Sequence, residues 1–347
     1  MNKTDSTAVT SPRRARRSSG GITLTDVAKV AGVSAITASR ALNMPSVVSP
    51  ETLKRVLDAI TRTGYVPNML AGGLASSRSR LVAALVPTIA GPVFLETVQA
   101  LTEALAESGY QLMLGQSGYT GQREDALLDA IIGRRPDGIV LTGIMHSAEG
   151  RRRLLASGIP VVETWDLTPT PMDMLVGFSH EKVGAAVAEY LHGKGRRRLA
   201  IVTADDHRAS LRRQAFEATA ARLGLPRIPA CVVPAPTTLG SGRAGLSQLL
   251  DKHPDIDAVF CSSDVLALGV ITEAQARGKS VPGDFGVFGF GDLGFAGDTH
   301  PALTTVRIDG TAIGYQAARF IVDRVEGREV PQRVVDLGFS IVERDSV

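Results

Sequence analysis

Between Ile22 and Gly64, apolar positions recur at helical spacing. Thr25–Ala31 and Ser34–Leu42 predict two short helices around Gly32, and Ser49–Thr63 predicts a third, in which Leu53, Val56, Leu57 and Ile60 repeat at i, i+3, i+4 and i+7. Ser49 supplies an N-cap, Pro50 stands in the first turn where no amide hydrogen is missed, and Gly64 provides the stop. Ala28, Val30, Val33 and Ala38 are small enough to form a core on which the first two helices cross, with Gly32 giving the turn. Pro67 then breaks the chain before a short Met69–Ala75 segment and a linker at Ser76–Arg80.

From Leu81 the pattern changes. Short apolar runs at Leu81–Val86, Gln111–Leu114, Gly138–Leu141, Val161–Glu163, Met174–Gly177, Leu199–Val202, Cys231–Val233, Ala258–Cys261 and Phe285–Phe288 predict strands. Helical patterns separate most of them, at Phe94–Ser108, Arg123–Gly133, Lys182–His192, Leu211–Leu223 and Val265–Arg277. This alternation is the mark of parallel α/β architecture. Nine strands are many for one small sheet. We expect two lobes, with breaks near residues 178–180 and 305–309, facing a cleft at the strand C-termini where a ligand binds.

Charge sharpens this division. Residues 1–80 hold 12 Lys/Arg against 4 Asp/Glu (+8), leaving 26 against 31 (−5) for the rest. A basic head on a mildly acidic body points to a polyanion at one end. Residues 1–21 read as a disordered basic arm (Arg13, Arg14, Arg16, Arg17) without the apolar run of a secretory signal, and no stretch is long and apolar enough to span a membrane. The expectation is a cytoplasmic, nucleoid-associated protein. Cys231 and Cys261 lack metal or disulfide spacing and read as core thiols. Asp205-Asp206-His207 reads as a solvated loop before a helix, and no metal or cofactor is expected.

Two chemistries compete. Gly289-Phe-Gly-Asp-Leu-Gly294 is a literal G-x-G-x-x-G after a strand, yet no helix pattern opens at its third glycine, so a dinucleotide enzyme is disfavoured. No G-x-S-x-G, Walker loop or H-E-x-x-H is present. In the head, the second helix opens at Ser34 and turns Ala35, Ile36, Thr37, Ser39 and Arg40 outward. Such a face suits a major groove: Arg40 for a guanine edge, Ala35 and Ile36 for thymine methyls, Thr37 and Ser39 for phosphates. A merely solvated face in a structural bundle is the alternative.

The strings TLTDVAKVAGVS, TASRALN and VSPETLKRVLDAITRTGYVPNMLAGGLAS resemble the head of the LacI/GalR family of transcription repressors from end to end. The resemblance implies base contacts by Ala35, Ile36 and Arg40, and backbone contacts by Thr23, Ser34, Thr37, Ser39, Asn43, Ser49 and Thr52. It also makes Tyr65-Val66-Pro67-Asn68 the lead-in to a hinge helix, placing Asn68 at the DNA and Leu74 as a wedge in the central minor groove.

Across Leu81–Val342 the body resembles the family's type I periplasmic-binding-protein-like core, most clearly at Asp264–Gly269 and Pro301–Val306. Arg212 falls at the family's effector-binding arginine, and Thr88 and His146 at effector-facing positions. Trp165 is expected beside the cleft, Asp264 as the N-cap of its helix, and Ser263 at the cleft lip.

The resemblance therefore implies a homodimeric, non-enzymatic repressor. It binds a pseudo-palindromic operator in double-stranded DNA under control of a small-molecule effector, and the absence of a heptad-bearing tail favours dimers over tetramers. The run Glu163–Thr168 with Met172–Ser179 resembles the gluconate-repressor branch. Many sugar-sensing relatives carry an aromatic followed by aspartate where this chain has Phe290-Gly291-Asp292, which removes a carboxylate from the cleft. The expected effector is thus gluconate or a related sugar acid, with Thr88, Ser263 and Asp292 available to its hydroxyls. The alternatives are a neutral sugar or nucleobase, and more remotely an extracytoplasmic sugar-binding protein.

Overall fold

The computed structural model describes residues 21–66 and 78–347, apart from 90, 120 and 146. The arm through residue 20, Asn68, Leu74, the Met69–Ala75 hinge segment and His146 lie outside the described residues. The described chain divides into a head and a body, with the boundary at Ser77/Arg78.

The head holds α1 (Leu24–Ala31), α2 (Ala35–Asn43) and α3 (Pro50–Thr63). Each begins at a hydroxyl N-cap. Thr23 forms a capping box with Asp26, Ser34 accepts from the Thr37 amide at 3.1 Å, and Ser49 accepts from the Thr52 amide at 3.2 Å. Gly32 and Gly64 end α1 and α3 at φ 64° and 65°, in the left-handed region. Arg55 of α3 donates to the carbonyls of Ala31 and Gly32, satisfying the orphan acceptors at the end of α1.

The core of the head is Val27, Ala28, Ala31, Ala38, Ala41, Val56 and Ala59. Two expected core positions are corrected: Val30 is 43% and Leu57 48% exposed. Each stands roughly 100° around its helix from the buried stripe, so Val27 and Ala59 take the places assigned to them.

The body contains two six-stranded sheets. In the first lobe β1 (Leu81–Val86), β2 (Gln111–Gln116), β3 (Gly138–Thr142), β4 (Val161–Thr164), β5 (Met174–Gly177) and β11 (Val334–Asp336) run parallel in the order β11-β5-β4-β3-β1-β2. The second lobe has β6 (Leu199–Ala204), β7 (Ala230–Val233), β8 (Ala258–Cys261), β9 (Gly286–Gly291), β10 (Thr304–Arg307) and β12 (Ser340–Val342), ordered β12-β10-β9-β8-β6-β7 with β12 antiparallel. Helices α4 (Leu95–Glu107), α5 (Gly121–Ile132) and α6 (Ala148–Ser157) belong to the first lobe; α7 (His180–Gly193), α8 (His207–Arg222), α9 (Leu239–Lys252) and α10 (Asp264–Ala276) belong to the second. The helix α11 (Gly310–Val325) packs against α4.

The chain passes between lobes three times, after β5, after β10 and between β11 and β12. The strands β10, β11 and β12 were not among the nine expected, and the third passage follows from the last two. Those two have only three residues each, at sheet edges and half exposed, so they present no apolar run.

Candidate functional site

The central strands of the lobes, such as β1 and β6, are buried on both faces, and loops at the strand C-terminal ends converge on one cleft of about 140 Å³. Thr88 follows β1, Trp165 follows β4, Ser263 follows β8, and Arg212 lies on α8 after β6; all four line this cleft. So do Phe94, Tyr119, His180, Asp206, Arg208, Ser262 and Phe290.

Arg212 is its electrostatic centre. The side chain is buried, its guanidinium lying over the Phe290 ring at 4.0 Å. Nη1 is 2.8 Å from His180 Nδ1, and Nη2 donates to the Ser262 carbonyl at 3.2 Å. Nε has no partner, and no ion pair reaches the guanidinium among the described residues. Burial lowers its pKa to about 10, so it remains a cation at neutral pH. Arg208, one turn earlier on α8, donates weakly to the Thr142 carbonyl of the first lobe at 3.4 Å and lies over the Phe94 ring.

Trp165 is held rigidly. Its indole N–H donates to Thr97 Oγ1 at 3.0 Å, and its ring meets Phe94 and Phe178 edge-on. Its backbone sits at φ 64°, a left-handed conformation costly for a bulky residue.

Two readings of the cleft are corrected. Ser263, not Asp264, is the N-cap of α10: its hydroxyl accepts from the Leu266 amide and contacts Thr237. Asp264 is fully buried behind the cleft wall, accepting from Thr305 Oγ1 at 2.6 Å and the Leu293 amide at 2.8 Å. Asp292 does not line the cleft. At φ 50° it turns away to pair with Arg307 at 2.5 Å and Arg344 at 2.7 Å, so its carboxylate is not open to a ligand's hydroxyls.

His180 and Arg208 were missed. The i, i+4 spacing of Arg208 and Arg212 was a usable signal once a helix over 207–222 is drawn. Nothing in Ser179-His180-Glu181 marks its histidine beyond a helix start. Gly289 of the G-x-G-x-x-G faces the Asp264 carboxylate, where a Cβ would lie 2.2 Å from Oδ1, and no helix follows β9 directly. That glycine answers a close approach of side chains. Asp206 N-caps α8 and Asp205 accepts from the Ala235 amide.

On the head, α2 exposes Ala35, Ile36 and Arg40, with Thr37 and Ser39 half-buried beside them. Ile36 is 67% exposed, and other apolar residues of the head, such as Ile22 and Val47, are exposed to a lesser degree. Asn43 Nδ2 donates to the Ser39 carbonyl at 3.0 Å, and the Ser34–Thr37 and Ser49–Thr52 hydroxyl pairs stand at the helix N-termini.

A profile described as "Bacterial regulatory proteins, lacI family" matches residues 23–68, and one for a periplasmic binding protein-like domain matches residues 188–347. The HTH-type transcriptional regulator GntR of Pseudomonas aeruginosa is 37% identical over 342 residues, 98% of this chain and 99% of that protein. The chain belongs to the LacI family. The GntR regulator of Escherichia coli K12 is similar at 30% identity over 92% of the chain and 96% of that protein. A solved LacI-family regulator from Silicibacter pomeroyi has a TM-score of 0.89 at 32% identity, covering 94% of this chain and 99% of that one.

As a LacI-family protein the chain is a transcriptional repressor with a DNA-binding helix-turn-helix and an effector-binding domain. It is not an enzyme. Among the described residues no helix is long and apolar enough to cross a membrane.

Proposed function

We propose that this repressor binds a pseudo-palindromic operator as a homodimer and senses a sugar acid, gluconate or a near relative, in the interlobe cleft. The observation that carries the effector reading is the Arg212 guanidinium: buried, cationic, with an unpartnered Nε, and with the Asp206 and Asp166 carboxylates acting on it only from beyond ion-pair distance among the described residues. A buried charge of this kind calls for an anion, and a carboxylate matches a guanidinium edge. Thr88 and Ser263 serve the hydroxyls, while Trp165 and Phe290 supply apolar faces. The GntR names of the two relatives agree with the resemblance of segment 163–179 to the gluconate branch.

On the DNA side, Ala35, Ile36 and Arg40 read base edges. Thr23, Ser34, Thr37, Ser39, Asn43, Ser49 and Thr52 position the backbone, and residues 67–80 act as the hinge. Exposure of Ala35, Ile36 and Arg40 on one helix supports this assignment. The effector shifts the balance between lobe arrangements and so weakens operator binding.

Calorimetry with gluconate, phosphogluconate, glucose and ribose tests the effector, with Trp165 fluorescence as a second signal. We expect sugar-acid binding that falls about tenfold to a hundredfold in Arg212→Leu. Tight binding of a neutral sugar with no response to either acid overturns the reading.

A further inference from the structure

The side chain that holds Arg212 is neutral, and its position in the chain is unusual. His180 is the first residue of α7, directly after the passage from the first lobe to the second. Its imidazole is buried, edge-on to Phe178 with ring centroids 4.6 Å apart. Nδ1 faces Arg212 Nη1 at 2.8 Å and Nε2 faces the Trp165 carbonyl at 2.9 Å. A guanidinium has only donors, so Nδ1 accepts; a carbonyl only accepts, so Nε2 carries the proton. These two neighbours permit only the neutral Nε2–H tautomer. Burial first, then the Arg212 and Arg208 charges, hold the ring's pKa well below the usual imidazole range.

We propose that His180 is the positioning residue for Arg212. It fixes the guanidinium without neutralising it, and it ties that orientation to the first lobe through the Trp165 carbonyl. A carboxylate in its place would orient the arginine equally well but would satisfy the charge that an anionic effector requires. The neutral imidazole leaves that charge available. Trp165 is the complementary half of the arrangement: its left-handed backbone, with the indole fixed by Thr97, presents the carbonyl to His180. His180 thus joins a backbone group of one lobe to the cleft cation of the other. Movement of the lobes on effector binding acts on both hydrogen bonds at once.

This inference rests on the acidic-effector reading for its binding consequence, though not for its geometry. The test measures gluconate and glucose affinities of the full chain for wild type, His180→Phe and His180→Asn. Phenylalanine keeps the ring packing and loses both polar bonds; asparagine restores an acceptor toward Arg212. We expect His180→Phe to lose gluconate affinity about tenfold or more with little change for glucose, and His180→Asn to recover most of the loss. A merely structural role would weaken both ligands alike. Nitrogen-15 NMR of the wild-type imidazoles at pH 7, assigned by the signal missing in His180→Phe or His180→Asn, should show Nε2 protonated and Nδ1 bare.

Unchanged gluconate affinity in His180→Phe, no recovery in His180→Asn, or a proton on Nδ1 overturns the proposal. Should wild type bind no sugar acid, the effector reading falls, while the tautomer still decides the His180–Arg212 arrangement. The tautomer also decides should His180→Phe fail to fold.

Discussion

Asp264 has no exposed surface, yet three segments depend on its carboxylate: the start of α10, the Leu293 loop bordering the cleft, and β10 through Thr305. Burial outweighs these hydrogen bonds and raises its pKa to about 6. The folded state therefore holds the proton more tightly than the unfolded chain, whose Asp titrates near 3.8. Stability contributed by the protonated form is lost as pH rises from about 4 through about 6. Relative to Asp264→Asn, wild type should lose on the order of 3 kcal/mol of unfolding free energy over that window. Urea denaturation of both proteins at several pH values checks this; curves that run parallel would mean the carboxylate is housed as comfortably as the acid. The sequence marked Asp264 through its place in a family-like string, but its position before an apolar helix reads equally well as a cap. Only the partner from β10, about forty residues on, distinguishes the two roles.

Elements meet closely where side chains vanish. The helices α7 and α8 cross at Gly184, where a Cβ would lie 2.1 Å from the Arg212 carbonyl and 3.0 Å from the Phe216 amide. Gly184→Ala must push α8 outward, and Arg212 with it. We expect a loss of about 1–3 kcal/mol in stability together with weaker sugar-acid binding. Gly193, at the end of the same helix, meets nothing within 4 Å, so Gly193→Ala serves as the control and should be neutral or slightly stabilising. Denaturation and calorimetry on the two variants read both effects; equal behaviour would show that the crossing has room to spare.

This scale also marks what could be read beforehand. Seven of the nine expected strands were visible because buried parallel strands are near-continuous apolar runs, and the partly exposed β2 and β7 still carry short apolar stretches. The edge strands β11 and β12, short and half exposed, were not, nor was β10, which is buried but reads Thr-Thr-Val-Arg and so shows no apolar run. That Trp165 and Ser263 border one cleft followed from their places after strand ends, whereas Arg212 and Thr88 were placed there by the family resemblance. Asp292 was misplaced because its turn is set by a positive φ and by two arginines, one of them, Arg344, 52 residues downstream. His180 was invisible because its meaning lies in Arg212 and Trp165, neither adjacent in sequence.

At the scale of the whole molecule the charges divide the work. The +8 excess of residues 1–80 sits on a chain whose remainder carries −5, so attraction to a polyanion belongs to the head and the segments flanking it. Each phosphate neutralised by Lys or Arg releases condensed counterions, and the affinity for DNA should fall linearly in log–log form as salt rises. Base reading should behave differently. Arg40 is exposed on α2 with no side-chain hydrogen bond or ion pair among the described residues, whereas Ser39 is half-buried and tied to Asn43. Arg40→Ala should cost about 1–3 kcal/mol at one base pair of each half-site and relax the preference there. It should lower the salt slope by no more than about one. Ser39→Ala should weaken all sequences alike. Fluorescence anisotropy across a salt series, combined with binding-site selection, separates the two effects. A flat salt dependence would remove the head's excess charge from the binding mechanism. An unchanged selected motif in Arg40→Ala would remove Arg40 from base reading and leave α2's exposed Ile36 and Ala35 to account for specificity.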